Sequence, residues 1–340
     1  MANTLFPLLR LPETAMHHVL KHMDHIELIS YSLLSRKATS LIQSLEIKAS
    51  KISVVIWPFC VMLQIRFQNS EVVEISMFEI ENPNFEALKL NVDIPCNEIS
   101  ISTPLFHQPP KWNIQPLNLK GWLDHLSSIF NYCKPPNLDF ESAQEVFDTE
   151  SIRRVVPEIS SLLVCNDPEY AIKVLRLFLS DATCKDLCFQ CDPFKNEPSV
   201  VLQRVGIQNL DDVDFYWLSK IALDDLLMFN FHYIHIGQRF LMSVKNTNRF
   251  IKNWIKGSNP KLKWIRILFT GTLKEGTVLK GIPFKVVPKT TERTIDANNS
   301  RMSSIIKGGF DVRNKRGITA NIQMKNYEGF GKSIELYVIN

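Results

Sequence analysis

Cys184, Cys188 and Cys191 stand at the C-x3-C-x2-C spacing that can hold a four-iron cluster through three thiolates. Gln190 rather than an aromatic precedes the third cysteine, and no glycine-rich cofactor segment follows. A strand over 186–190 would put Cys188 on the face of Gln190, so the three sulfurs would not converge. Structural thiols are the stronger reading, and zinc would need a fourth ligand that no nearby histidine or cysteine supplies. Asp211-Asp212-x-Asp214 and Asp224-Asp225 lack the glycine-bearing loop of a calcium site and read as solvated turns and helix starts. His232-x-x-His235 falls in a strand-like apolar run that would send the two rings to opposite faces. With no phosphate loop, nucleophile elbow or dinucleotide-binding glycine pattern, the sequence implies no enzyme, no cofactor and no metal site.

The elements that would carry other functions start near the amino end. The chain has 340 residues, 45% of them hydrophobic and 22% charged, enough for a core of about two domains. The longest apolar runs, Ile52 to Ile56 and Leu226 to Phe231, are far shorter than the ~20 residues that span a bilayer, and no secretory pattern opens the sequence. Seven scattered cysteines do not suit a disulfide framework. A cytoplasmic or nuclear protein with reduced thiols and no membrane association is expected.

Between Pro12 and Ile47 the apolar residues fall in three short helical stripes. Pro12 and Glu13 suit a first turn, Asp24 with Glu27 forms an acidic capping box, and Ser35 can cap a third helix. The run Phe6-Pro7-Leu8-Leu9-Arg10-Leu11-Pro12, with Val19-Leu20, Met23-Asp24, Glu27-Leu28-Ile29 and Ser32 to Lys37, resembles an F-box of the kind expanded in nematodes. Ala38, Thr39 and Ser40 stand where many F-boxes carry a tryptophan. The resemblance implies that residues 5–50 dock on a Skp-family adaptor, and through it on a cullin-RING ubiquitin ligase. Leu11, Pro12, Leu20, Met23, Leu28, Ile29 and Leu33 would face that adaptor.

After Ser50 the period shortens to two, and Val54 to Ile56, Met62 to Phe67 and Val72 to Met77 predict an antiparallel meander, with a further strand near Ile99. Pro104, Pro109, Pro110 and Pro116 mark a linker, so residues 51–115 read as an antiparallel β segment and linker. From 116 to 340 helices and strands alternate. Strands are expected near 138, 161, 186, 226 and 263, helices over Trp122 to Phe130 and after Asp167-Pro168, and another helix opening at Asn248 and closing at Gly257. The fold class expected is α+β: three amino-terminal helices, an antiparallel segment, then a degenerate leucine-rich-repeat-like α/β domain ending in a hairpin around Arg313 to Gly317. The segment Asn248 to Leu262, with Phe250, Trp254 and Gly257-Ser258-Asn259-Pro260, resembles a type-2 F-box-associated domain, as do Leu223 to Leu227 and Lys280-Gly281-Ile282. In that family this domain is thought to recruit the ligase's target, which implies a non-catalytic substrate-recognition subunit; an adaptor-independent scaffold is the alternative, and a cysteine-cluster redox or radical enzyme a distant one.

Charge adds a candidate surface. Residues 1–240 carry 20 Lys and Arg against 29 Asp and Glu, whereas residues 241–340 carry 19 against 6. Lys252, Lys256, Lys261, Lys263 and Arg266 surround one turn, and Arg313, Lys315 and Arg316 crowd the hairpin tip. If the two clusters share a face, Lys256, Lys261, Lys263, Arg313, Lys315 and Arg316 would attract an acidic or phosphorylated protein target. Nucleic acid ranks lower, because no stacking aromatics are interleaved with the charge.

Overall fold

The computed structural model describes residues 11–80, 89–103, 111–141, 145–165, 167–179, 183–195, 199–218, 221–237, 242–269, 273–295, 305–327 and 331–339. Phe6 to Arg10, Pro104, Pro109 and Pro110 lie outside them. Two compact units divide the chain between Ile159 and Ser160.

The first unit opens with α1 (Glu13–Leu20), α2 (His25–Ser32) and α3 (Arg36–Gln43). Their starts follow from local chemistry. Asp24 Oδ1 accepts from the Glu27 amide at 2.7 Å while Glu27 Oε2 accepts from the Asp24 amide at 3.0 Å, and Ser35 Oγ accepts from the Ala38 amide at 3.2 Å. Each such cap is worth about 1 kcal/mol. The strands β1 (Ala49–Ile56), β2 (Val61–Phe67), β3 (Val72–Met77), β4 (Cys96–Ser102) and β5 (Lys111–Leu117) follow as an antiparallel meander, and β6 (Asn137–Phe140) pairs parallel with β1. Between them α4 (Leu119–Ile129) is capped by Asn118 and buries Trp122, Leu123, Leu126 and Ile129; α5 (Thr149–Val155) is capped by Asp148. Pro116, read as part of a linker, lies in β5, the last strand of this order, where a missing amide is tolerated. The unit boundary also falls later than residue 115, because α4 packs on α3 and β6 hydrogen-bonds to β1.

In the second unit β7 (Ser161–Val164), β8 (Asp186–Phe189), β9 (Asp212–Phe215), β10 (Tyr233–Ile236) and β11 (Trp264–Phe269) lie parallel in that order. The helices α6 (Pro168–Phe178), α7 (Ser199–Gly206), α8 (Leu223–Met228) and α9 (Val244–Ile255) connect them. The strands begin at 161, 186, 212, 233 and 264, a spacing of 21 to 31 residues. After α10 (Glu275–Val278) come β12 (Lys285–Thr294), β13 (Ile305–Arg313), β14 (Thr319–Tyr327) and β15 (Gly331–Ile339), and the sheet continues antiparallel from β11 through β15, β14 and β13 to β12. Leu162, Leu187, Val213, Ile234, Ile265 and Leu336 stand in one register row, all buried. In the row beyond, Phe189 and Phe215 stack at 5.2 Å, and Phe215 meets Phe229 at 5.7 Å just after α8.

Three expectations differ. Leu226 to Phe231 was expected as a strand; Leu223–Met228 is instead α8, because Asp225 Oδ2 accepts from the Ala222 amide at 2.9 Å and fixes a first helical turn. Asp212–Phe215, read as a solvated turn, is β9: its Asp-Val-Asp-Phe alternation is that of a strand, disguised by the aspartates. The last long helix begins at Val244 after an Ser243 cap, not at Asn248.

Candidate functional site

The three amino-terminal helices turn their apolar stripes inward. Leu20 and Ile29 are 0% exposed and Leu28 is 2% exposed, with Met16, Ala38 and Ile42 beside them. Tyr31 donates to the Met16 sulfur at 3.5 Å, Thr39 Oγ1 to the Ser32 carbonyl at 2.8 Å, and Ser32 Oγ lies 2.8 Å from His125 Nε2 on α4. His25 stacks on Phe67 of β2 at 3.6 Å between ring centres and lies 2.9 Å from Glu71. Leu20, Leu28 and Ile29 are therefore core residues of the first unit, a correction to their expected role as adaptor contacts. The helices meet α4 through Ser32 and His125 and β2 through His25 and Phe67, neighbours that three isolated helices lack. Pro12 is exposed, Leu11, Met23 and Leu33 are half-buried, and Leu34 is 67% exposed. These remain accessible to a partner.

The second surface is built where the hairpin between β13 and β14 meets the end of α9. Gly257 closes that helix at φ +104°, its amide donating to the Trp254 carbonyl at 2.9 Å while the Ser258 amide reaches Asn253 at 3.0 Å. The Lys315 amide donates to the Ile255 carbonyl at 2.9 Å, and a Cβ at residue 257 would come within 2.6 Å of Lys315 Cε. Glycine is favoured there by the positive φ, whereas the Lys315 side-chain end could swing aside for a Cβ. Buried Asn314 shapes the tip by accepting from the Arg316 and Ile318 amides at 2.9 and 3.0 Å. The tip thus brings Lys315 against the helix end that carries Lys256. Lys256, Lys261, Lys263, Arg313, Lys315 and Arg316 are all exposed, with Lys261 donating to Asn209 at 2.9 Å and Lys263 lying 5.9 Å over the Tyr233 ring. Arg266 departs from this group: it is half-buried and donates to Glu335 at 2.9 Å.

That ion pair belongs to a polar row that crosses the sheet on the face opposite the apolar rows. Cys188, Asp214, His235, Arg266, Glu335 and Gln323 stand side by side on six successive strands. His235 Nδ1 lies 2.6 Å from Asp214 Oδ1, with Trp264 stacked alongside at 6.5 Å. Asp214 is 1% exposed, so it is not the solvated turn residue expected from sequence. Fully buried Glu335 also meets Lys325 at 3.1 Å, Ser333 and Tyr337, and burial together with this carboxylate raises the Tyr337 phenol's pKa. One step toward the amino ends of the strands, Asp211 and His232 repeat the pairing at 2.9 Å in a more open setting. His235 is thus oriented by an aspartate directly across a parallel ladder, a pairing legible only once β9 and β10 are set in register, and His232 by one just before the two strands.

The three cysteines have separate partners. Cys184 Sγ is 3.5 Å from the Asp186 carbonyl, Cys188 Sγ 4.0 Å from Asp214, and Cys191 Sγ 3.9 Å from the Val164 carbonyl. Burial, with Asp186 adding to it at Cys184, pushes the Cys184 and Cys191 thiols up to about 12, which suppresses the thiolate that a metal or electrophile needs. Among the described residues no group of three or more His, Cys, Asp or Glu is arranged to hold a metal, and no helix is long and apolar enough to cross a membrane.

Two families match the chain: the F-box domain over residues 8–50, and the F-box associated family over residues 201–267. This chain carries an F-box and an F-box-associated domain. It is also similar to the F-box associated domain-containing protein sdz-33 of Caenorhabditis elegans, 24% identical over 271 residues that cover 77% of this chain and 78% of that one. No solved structure matches.

The F-box match takes in α1 to α3. The F-box-associated match runs from α7 through β9, α8, β10 and α9 to β11, so it ends on the strand that carries Arg266. Its most recognisable residues prove to be structural. Phe250 and Trp254 are buried core anchors. Asn248 Nδ2 donates to the carbonyls of Val278 and Lys280 at 2.7 and 3.0 Å, and Asn259 Nδ2 to those of Leu226 and Phe229 at 2.8 and 3.0 Å. Each side-chain amide thus bridges two backbone carbonyls of a neighbouring segment.

Proposed function

We propose that this protein is a non-catalytic substrate-recognition subunit of an SCF-type cullin-RING ubiquitin ligase, acting in the cytoplasm or nucleus. The observation that carries the reading is the occurrence on one chain of an F-box match at residues 8–50 and an F-box-associated match at 201–267. The F-box helices bind a Skp-family adaptor through their accessible residues Leu11, Pro12, Met23 and Leu33. The second unit, whose strand and helix repeats are those of a degenerate leucine-rich repeat, holds a protein target. Its basic surface of Lys256, Lys261, Lys263, Arg313, Lys315 and Arg316 selects an acidic or phosphorylated patch. Any rate gain comes from proximity, since the chain raises the effective concentration of the target near the charged conjugating enzyme.

The test is co-purification with the adaptor. Burying a leucine is worth roughly 1.5 to 3 kcal/mol, so replacing Leu11 and Pro12 together with alanine should weaken adaptor binding tenfold or more. The thermal unfolding of the chain should stay unchanged. Equal recovery of the adaptor with both proteins would overturn the docking model.

A further inference from the structure

β12 is the last strand of the second unit's sheet. β12 pairs with β13 on one side, and among the described residues no strand pairs with its outer edge. Such an edge offers a row of backbone donors and acceptors to an added strand. β12 is ten residues long and mostly exposed, with Val287 its single buried position. An apolar strip lies along it. Phe284 is 46% and Val286 61% exposed, at alternate positions that share a face, and Phe284 meets the ring of Phe310 edge-on at 5.4 Å. Val286 and Phe310 stand opposite each other in the ladder, so the strip is continuous across both strands.

Charge decides what can occupy that edge. β12 and β13 carry Lys285, Lys289, Arg293, Lys307 and Arg313 against only Glu292 and Asp311. Both acids are already engaged: Glu292 by Lys307, and Asp311 by Arg293 at 2.7 Å. For Asp311 burial raises the carboxyl pKa, but the hydrogen bonds from Arg293 and Asn321 and the Arg293 charge outweigh it and hold the group below its ordinary value. Exposed Lys285 and Lys289 remain beside the open edge. A second copy of this chain would set these lysines against their own counterparts in an antiparallel pair, where like charges repel. Pro288 interrupts the donors at the same place. The edge thus rejects itself and a basic strand while leaving an acidic one unopposed.

We infer that β12 is a docking edge for an extended, acidic segment of a partner protein, which adds as a strand with apolar side chains at alternate positions on the Phe284 and Val286 strip. The inference rests on the reading of the second unit as the target-recruiting region. It differs from the surface around Lys256 and Lys315 in using a backbone edge and an apolar strip, although Arg313 of β13 belongs to both.

Panning a random dodecapeptide display library on the full-length chain tests this. Enriched peptides should be acidic with alternating apolar residues, and a synthetic consensus peptide should slow amide exchange over residues 284–290. Its affinity should fall at least tenfold in Lys285→Glu with Lys289→Glu, survive in Lys285→Arg with Lys289→Arg, and be unaffected by Lys315→Glu with Arg316→Glu. Enrichment of no such peptides, protection elsewhere, or full binding to the lysine-to-glutamate variant would overturn the docking edge and leave the lysines as edge protection only. Adaptor co-purification is measured separately, so loss of this inference with the adaptor retained is distinguishable from failure of the ligase reading.

Discussion

The F-box resemblance implies one set of partner-facing residues and the charge split along the chain implies another, yet the structure treats the two sets differently. Of seven apolar residues assigned to a partner, Leu20, Leu28 and Ile29 turn into the protein's own core. All six cations assigned to a target surface are exposed, and the hairpin tip lies against the helix end although some 60 residues of sequence separate Lys256 from Lys315. An apolar stripe states only that a face is to be covered, by the chain itself or by another molecule. A cation carries more information, because burying it unpaired is prohibitive. The exception is a cation that brings its own partner, as Arg266 does with Glu335.

The largest effect that tests this contrast comes from Leu28→Ala. Removing a core leucine should destabilise the first unit by about 2 to 5 kcal/mol, read as a lower denaturation midpoint. Any loss of adaptor binding should follow unfolding rather than precede it. Wild-type stability with lost adaptor binding would return Leu28 to the partner-facing set.

A somewhat smaller effect concerns a charge that is covered without a close partner. Burial pushes the Asp139 carboxyl on β6 up to about 6, opposed by Lys51 and reinforced by Glu141. The folded state therefore binds the proton more tightly than the unfolded one, so this group's contribution to stability falls as pH rises from about 4 to about 6 and stays low above that. Asp139→Asn should raise stability at pH 7 by up to about 3 kcal/mol, an advantage that shrinks below pH 6 and disappears near pH 4. Denaturation curves at pH 4 and pH 7 check it; a pH-independent difference would contradict the burial effect.

The smallest effect on folding is expected from Lys315→Glu with Arg316→Glu. Exposed substitutions of this kind change stability by about 0.5 kcal/mol or less. Target capture and its salt sensitivity should nevertheless drop, while adaptor binding holds. Equal capture from mutant and wild type across a salt series would reduce the basic surface to a solvating role.

Much of the local structure was legible. The Asp24 and Glu27 box, the Ser35 and Asp167 caps, the meander of β1 to β3 and the left-handed glycine at 257 follow from short-range rules, and each is realised. What was not legible depends on pairing across the sheet. β9 was hidden because aspartates disfavour a strand in isolation, and Asp214 is accommodated there by the facing histidine of β10. Asparagine favours caps, which suggests a helix start at Asn248; it sits mid-helix instead, with its amide donating to the carbonyls of Val278 at the end of α10 and Lys280 just after it. Neither relation leaves a signal in nearby residues.

Those two asparagines have a consequence for how the second unit comes apart. A row of strand and helix repeats held only by neighbour-to-neighbour packing can unzip from either end, one repeat at a time. Asn259 ties the turn before β11 back to both ends of the segment leaving α8, and Asn248 ties α9 forward to the segment around α10. The stretch from α8 to Lys280 is thereby cross-stitched, and amide exchange should show its elements, with the α9 end on which the hairpin tip docks, opening together rather than one repeat at a time.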